Sequence, residues 1–456
     1  MSGIPLTIDY GPWSMEYSEC LNIKLQTSNF IFLLLIFRMI IKKALILSLA
    51  TISILINNST YAQVIARFAI AEPRYDIEVP VSINLDQLTP LPDSLLILEE
   101  VTGSTRVLVP CQIENAYQRS LWWILKPKNT PGKRIFELSR SSKSQPDFKN
   151  AAVSDTGGSL RISVNNKNVL QYNYQTHYPP TGIDTVFKRS GFIHPVWSPA
   201  GNILTRINPP DHYHHYGIWN PWTDIVYEEN SVDLWNLNKK QGTVRFSNLI
   251  ATSQGNVYAG FNALQEHVVF TDSVNEKVIL NEIMDIRVYN IADQKWLWDF
   301  TSTLNVTGSP VLLKTYRYGG FGFRATEDWN NNNSSILTSS GKTRKDADGS
   351  TAHWCTIDGD VNSGHSGILF MNYPSNYNSP QPIRVWPEDT NGRGDVFFSF
   401  SPIKNTDWIL QPGKSYVLKY RMLVYEGSIT PAQAQNTWNS FAKPIPITIT
   451  KINSIQ

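Results

Sequence analysis

The chain has 456 residues, of which 41% are hydrophobic, 12% aromatic and only 17% charged, and its formal net charge is +2 at pH 7. So near-neutral a balance, with no basic patch or stripe, excludes a nucleic-acid binder held by phosphate contacts. Few charges with many aromatics is a balance common in exported β-rich proteins that handle carbohydrate, which is a correlation rather than a mechanism.

The first recognisable element has the build of a secretory signal over residues 39–62. Lys42 and Lys43 follow Met39, an apolar run extends from Ala44 to Ile56, and a polar Asn57-Asn58-Ser59 region comes next. Thr60 and Ala62 are the small residues of a cleavage site ahead of Gln63. On this reading Met39 starts the protein and residues 1–38 are an upstream extension of the reading frame. The mature chain is then periplasmic or extracellular. One uncleaved anchor from Ile31 to Ile56 is the competing reading. Arg38, Lys42 and Lys43 interrupt it, so neither half reaches the roughly 20 apolar residues of a spanning helix. No later apolar run is long enough to cross a bilayer, and no membrane partner is expected after signal cleavage.

From Val64 onward short apolar or alternating runs are separated by turns. Arg67-Phe68-Ala69-Ile70-Ala71, Leu95 to Val101 and Arg106 to Gln112 have strand length and strand patterning. Residues 63–162 therefore predict an N-terminal β-sandwich module. A longer β-rich region, residues 163–427, follows, with strands expected over Val278 to Asn290, Val311 to Phe323, Gly367 to Met371 and Ser415 to Tyr425. Residues 428–456 predict a C-terminal helix and tail: Thr430 caps, Pro431 suits the first turn, and Pro444 stops it. The expected fold class is all-β, a small β-sandwich followed by a large one, with a single terminal helix. Past the signal only Cys111 and Cys355 remain, either as one disulfide or as two buried thiols.

The densest chemistry lies in the run from Pro209 to Trp222, where His212, His214 and His215 fall within four positions and Trp219 and Trp222 follow. Imidazoles titrate near neutral pH and ligate metals, while indoles offer flat apolar faces for sugar rings. Read as an extended segment, His212 and His214 share one face and His215 the other. A divalent metal on His212, His214 and His215 is one reading, with Asp211 or Glu327 completing the set. Acid–base work by an imidazole held by Asp211 is a second, ligand binding without chemistry a third, and packed structural histidines a fourth. Tyr316 to Arg324 form another concentration. Its alternating glycines mark either a ligand lying across the sheet, with Arg324 as a fork, or a corner that needs curvature.

The run from Lys188-Arg189-Ser190-Gly191-Phe192-Ile193-His194-Pro195 through Trp197-Ser198-Pro199, Asp211 to Trp219 and Val232-Asp233-Leu234-Trp235-Asn236 resembles the PmoA-like family of exported bacterial proteins. Tyr318-Gly319-Gly320-Phe321-Gly322-Phe323-Arg324 and Trp354-Cys355 match the same pattern. The family's label comes from a methane oxygenase subunit. That activity is not expected, because such a subunit spans the membrane several times and this mature chain has no span. The resemblance implies a β-sandwich in the supersandwich style of aldose epimerases and polysaccharide-processing proteins. There a histidine and a carboxylate move protons on the sugar, which nominates His212 or His214 with Glu327 or Asp299.

Together these readings predict an exported carbohydrate-active protein that binds or processes a saccharide, or another small polar ligand, by histidine acid–base or metal-assisted chemistry. An enzyme of this kind would be of epimerase, lyase or hydrolase type. The alternative is a non-catalytic periplasmic glycan-binding or scaffold protein. Catalytic candidates are His212, His214 and Glu327; ligand-binding candidates are His194, Asp211, Trp219, Trp222, Trp235 and Arg324.

Overall fold

In the computed structural model the described residues are 37–43, 63–71, 75–127, 132–141, 150–272, 274–291, 294–362 and 364–452. The chain divides into two units, Met1–Ala62 and Gln63–Gln456. In the first, residues 37–43 are helical and exposed. The rest of the upstream extension and of the signal reading lies outside the described residues. Among the described residues no helix is long and apolar enough to cross a membrane.

The second unit is all-β, and strands make up 51% of the structure. Its main body contains two eight-stranded sheets. One runs Gly242–Ser253, Tyr258–Phe270, Glu276–Tyr289, Lys295–Val306, Ser415–Glu426, Gly364–Asn372, Trp354–Val361, Ser334–Thr338, with antiparallel neighbours throughout. The strand Glu276–Tyr289 shows why these segments are strands. Leu280, Met284, Ile286 and Val288 alternate into the core, and Asn281, Asp285 and Arg287 point away. Glu282 falls in the buried row, so it must be paired. His267 lies 2.9 Å from its carboxylate, and Asn220 donates to it at 2.7 Å.

The other sheet runs Ile383–Val385, Phe397–Phe400, Gly322–Arg324, Ile218–Trp219, Phe192–Val196, Lys167–Asn173, Ser159–Val164, Ala151–Asp155. The two sheets face each other across rings: Phe370 of the first lies 4.8 Å from Phe323 and 5.0 Å from Phe398 of the second, and Tyr420 stacks on Phe400. The large sandwich expected from the sequence is thus present. It takes in Ala151–Asp155 and all of Ser159–Val164, so the chain leaves the N-terminal module before Ala151 rather than at residue 162.

The N-terminal module pairs a three-stranded sheet with a five-stranded one. The five-stranded order is Ile447–Lys451, Gln63–Ala71, Lys133–Arg140, Leu96–Thr102, Thr105–Leu108. What the sequence reading leaves as a tail is therefore a strand, and it pairs antiparallel with the module's first. The terminal helix, Pro431–Ala442, has the expected cap: Thr430 accepts from the Gln433 N–H at 3.2 Å, and Gln433 accepts from the Thr430 N–H at 2.8 Å. Its Ala434, Trp438 and Phe441 join Phe68, Trp123 and Leu138 of the module, and Tyr258 and Tyr289 of the large sheet, in one core. Cys111 sits in the three-stranded sheet and Cys355 inside the large one, and no disulfide joins them. Burial pushes the Cys111 thiol up to about 12 and that of Cys355 higher still.

Candidate functional site

The histidine run is not extended. Asn208 has a φ of +44°, and its N–H donates to the His215 carbonyl at 2.9 Å. The His212 N–H reaches back to Pro209, and the His215 N–H to His212, each at 2.9 Å. These turns fold the three imidazoles onto one another. His212 stacks on His215 with ring centres 4.7 Å apart, and His214 meets His215 edge-on at 4.9 Å. Gly217 then returns the chain to the sheet at a φ of +61°.

Asp211 organises the polar side. His212 Nδ1 is 2.8 Å from Asp211 Oδ2; a carboxylate only accepts, so Nδ1 carries the proton and a neutral ring keeps Nε2 as its lone-pair nitrogen. Arg324, 1% exposed, brings Nη1 to 2.9 Å from Oδ2 and donates from Nη2 to Oδ1 at 3.0 Å. The same guanidinium lies 3.2 Å from Asp395 and 4.7 Å above the Trp386 ring. Asn391 donates to both Asp211 and Asp395 at 2.9 Å. Burial works against ionising Asp211, but the His212 hydrogen bond and the Arg324 charge outweigh it and hold the carboxyl well below the usual carboxylate range.

The segment carrying Trp386, Asn391 and Asp395 is fixed from beneath. Arg344, 4% exposed, donates to the carbonyls of Gly394 at 2.9 Å and of Pro387 and Asp395 at 3.0 Å. Between this segment and the histidines lies an open cavity of about 380 Å³. Its apolar wall comprises Trp235, Tyr318, Trp386, Pro387 and Phe397. His212, His214 and His215 line it as well, and Asn236, Arg317, Arg384 and Thr390 supply further polar groups. Burial is the main cause that pushes the His214 imidazole down to about 3, helped by the charges of His212 and Arg189. His215 is lowered well below its ordinary value, burial again being the main cause, and its Nδ1 is buried without a hydrogen-bond partner among the described residues.

The expected site residues separate into those that meet here and those that do not. Asp211, His212, His214, His215, Trp235 and Arg324 do. Trp219 is fully buried behind the cavity, 5.0 Å from both His215 and Trp235, so it backs the wall and offers no face to a ligand. Trp222 belongs to the core between the sheets. His194 bonds Thr205 at 2.9 Å, and burial with the neighbouring His177 pushes it down to about 4. Glu327 is 64% exposed, pairs with Arg206 at 3.4 Å and does not line the cavity. Asp299 is engaged by Arg421 at 2.6 Å and Tyr289 at 2.8 Å, beneath the N-terminal module. The metal set His212, His214 and His215 does not converge: the rings stack, and among the described residues no group of three or more His, Cys, Asp or Glu side chains could hold a metal ion. Gly322 is required by tryptophan, not by a ligand, since a Cβ there would lie 2.8 Å from Trp235.

Sequence reasoning flagged the run holding Arg317 and Tyr318 without naming either as a site residue, and missed Arg384, Trp386, Thr390, Asn391, Asp395 and Phe397. The available signal is the stretch Trp386 to Asp395, where one tryptophan precedes a polar, glycine-bearing run without strand periodicity.

No curated protein matches the chain. A family model does, that of a family of unknown function, DUF6807, over residues 159–439. The matched span holds every residue lining the cavity, and the chain belongs to this family.

Proposed function

We propose that the protein binds a saccharide in this cavity and acts on it through His212. What carries the reading is one juxtaposition, a cavity walled by Trp235, Tyr318, Trp386 and Phe397 with the His212–Asp211 pair at its edge. Flat apolar faces with a few convergent polar groups suit a sugar ring, and about 380 Å³ lies within the range of small-ligand sites, about 300–1,000 Å³. Asp211 fixes the tautomer and orientation of His212, and among the described residues no hydrogen bond engages Nε2. That nitrogen is the group to take a proton from, or return one to, a sugar hydroxyl or a carbon next to a carbonyl. His214 and His215 stay neutral at physiological pH and serve as wall. The secretory build of residues 39–62 and the resemblance to PmoA-like proteins support an exported site of action on carbohydrate.

A second reading, binding without turnover, is favoured by the clamping of Asp211. Arg324 and Asn391 already occupy its oxygens, so the carboxylate is tied into a fixed network. Proton NMR of a broad glycan panel incubated with the protein and with His212→Ala separates the two. Turnover of at least one glycan, reduced roughly 10²–10⁴-fold in the variant with thermal unfolding retained, is the expected result. If His212→Ala changes affinity alone and no glycan is altered, the protein is a binder. If no glycan is bound or altered, the saccharide reading falls.

A further inference from the structure

We infer that the ligand is an acidic saccharide whose carboxylate is received by Arg317 and Arg384. This deepens the saccharide reading above and rests on it. Among the described residues no Asp or Glu side chain lines the cavity, whereas two arginines do. The acidic groups beneath it are matched internally: Asp211 and Asp395 by Arg324, and Asp395 also by Arg393 at 3.3 Å. Glu388 and Asp389, which adjoin the lining residues in sequence, are exposed and form no part of the wall.

The two lining arginines are surplus positive charge. Arg317 is exposed and makes no ion pair among the described residues; its guanidinium lies 5.4 Å from the Tyr318 ring centre. Arg384 gives one nitrogen to Asp348 at 2.6 Å, but Lys404 also claims that carboxylate at 3.2 Å, so one negative charge is shared by two cations. Among the described residues the Arg384 Nε is buried without a hydrogen-bond partner. A buried guanidinium N–H beside a cavity calls for an acceptor, and a planar fork suits a carboxylate better than a hydroxyl. Tyr318 and Trp386, backed by the buried Trp235, would hold the ring while the arginines read its acid group. A neutral sugar fills the same space and leaves that charge unanswered.

Titration calorimetry with the purified chain tests this, using galacturonate and glucuronate oligomers, their neutral galactose and glucose counterparts, and 6-sulfated forms. The acid should bind at least tenfold more tightly than its neutral counterpart. That ratio should shrink as salt rises and fall below about threefold in Arg317→Gln plus Arg384→Gln. Arg317→Gln alone is the safeguard against misfolding, because this arginine is exposed and its guanidinium makes, among the described residues, only the ring contact with Tyr318; it should lower the ratio by itself. Equal or tighter binding of neutral sugars overturns the acidic assignment and leaves the saccharide reading standing. A ratio unmoved in the variants, or sulfated forms bound as tightly as carboxylated ones, overturns the assignment to these arginines or to a carboxylate. Failure of every sugar, acidic and neutral, overturns the saccharide reading together with this one.

Discussion

Burial among rings keeps His214 and His215 neutral where an exposed imidazole would take a proton; Arg189 adds to the effect, and at His214 Asp233 and Asp211 offset it only in part. The unfolded chain protonates these side chains near pH 6.5, so below that point it binds more protons than the folded one. Stability must therefore be full above about pH 6.5 and fall as the pH drops toward the depressed values, about 4 for His194 and about 3 for His214. Urea midpoints at pH 7.5, 6 and 5 should decline in that order, and His214→Asn should flatten the decline; a midpoint constant down to pH 5 would contradict the burial described here. Half of this site was legible in the sequence, because a histidine run beside tryptophans is dense chemistry in one stretch. The other half was not. Trp386, Asn391 and Asp395 lie far along the chain from Asp211 and meet it only through sheet pairing and the Arg344 clamp. Glu327, nominated both as a metal-completing carboxylate and by resemblance, and Asp299, nominated by resemblance, were chosen by residue type, which does not say which way a strand presents a side chain.

Between the histidines and the strand Ile218–Trp219, Gly217 is the hinge on which the local geometry turns. A Cβ there would lie 2.3 Å from the Ile193 carbonyl oxygen and 3.0 Å from the His194 Cβ, at a positive φ that disfavours side chains. Gly217→Ala should cost more than about 2 kcal/mol of stability by chemical denaturation and weaken ligand binding, since His215 and Trp219 flank the distortion. A variant as stable as the parent would show that the turn relaxes freely. Strands and the capped helix were readable because alternation and an N-cap are local signals. The expected extended histidine run failed because hydrogen bonds from Asn208, His212 and His215 N–H groups outcompete pairing there. Gly322 illustrates the same limit: close approach was legible, but the approaching group, Trp235, was not.

At the scale of the molecule the N-terminal module does not stand alone, since its core is shared with the large sheet and with Trp438 and Phe441 of the terminal helix. Its sheet is completed by Ile447–Lys451 against Gln63–Ala71. Deleting residues 446–456 should leave Gln63–Ala71 as a bare edge, and exposed edges pair with other chains. Light scattering should then reveal concentration-dependent association, and limited proteolysis should cut faster within residues 63–141; an unchanged monomer with unchanged digestion would show the last strand to be dispensable. Ile447-Thr448-Ile449-Thr450 does alternate in the strand manner, but its partner, Gln63–Ala71, lies hundreds of residues earlier in the sequence, so the run was read as a tail. Its pairing also sets a clock. Gln63–Ala71 waits for Ile447–Lys451, with the whole β-sandwich synthesised in between, so the module's edge stays open through the stage when nascent chains are most prone to meet one another.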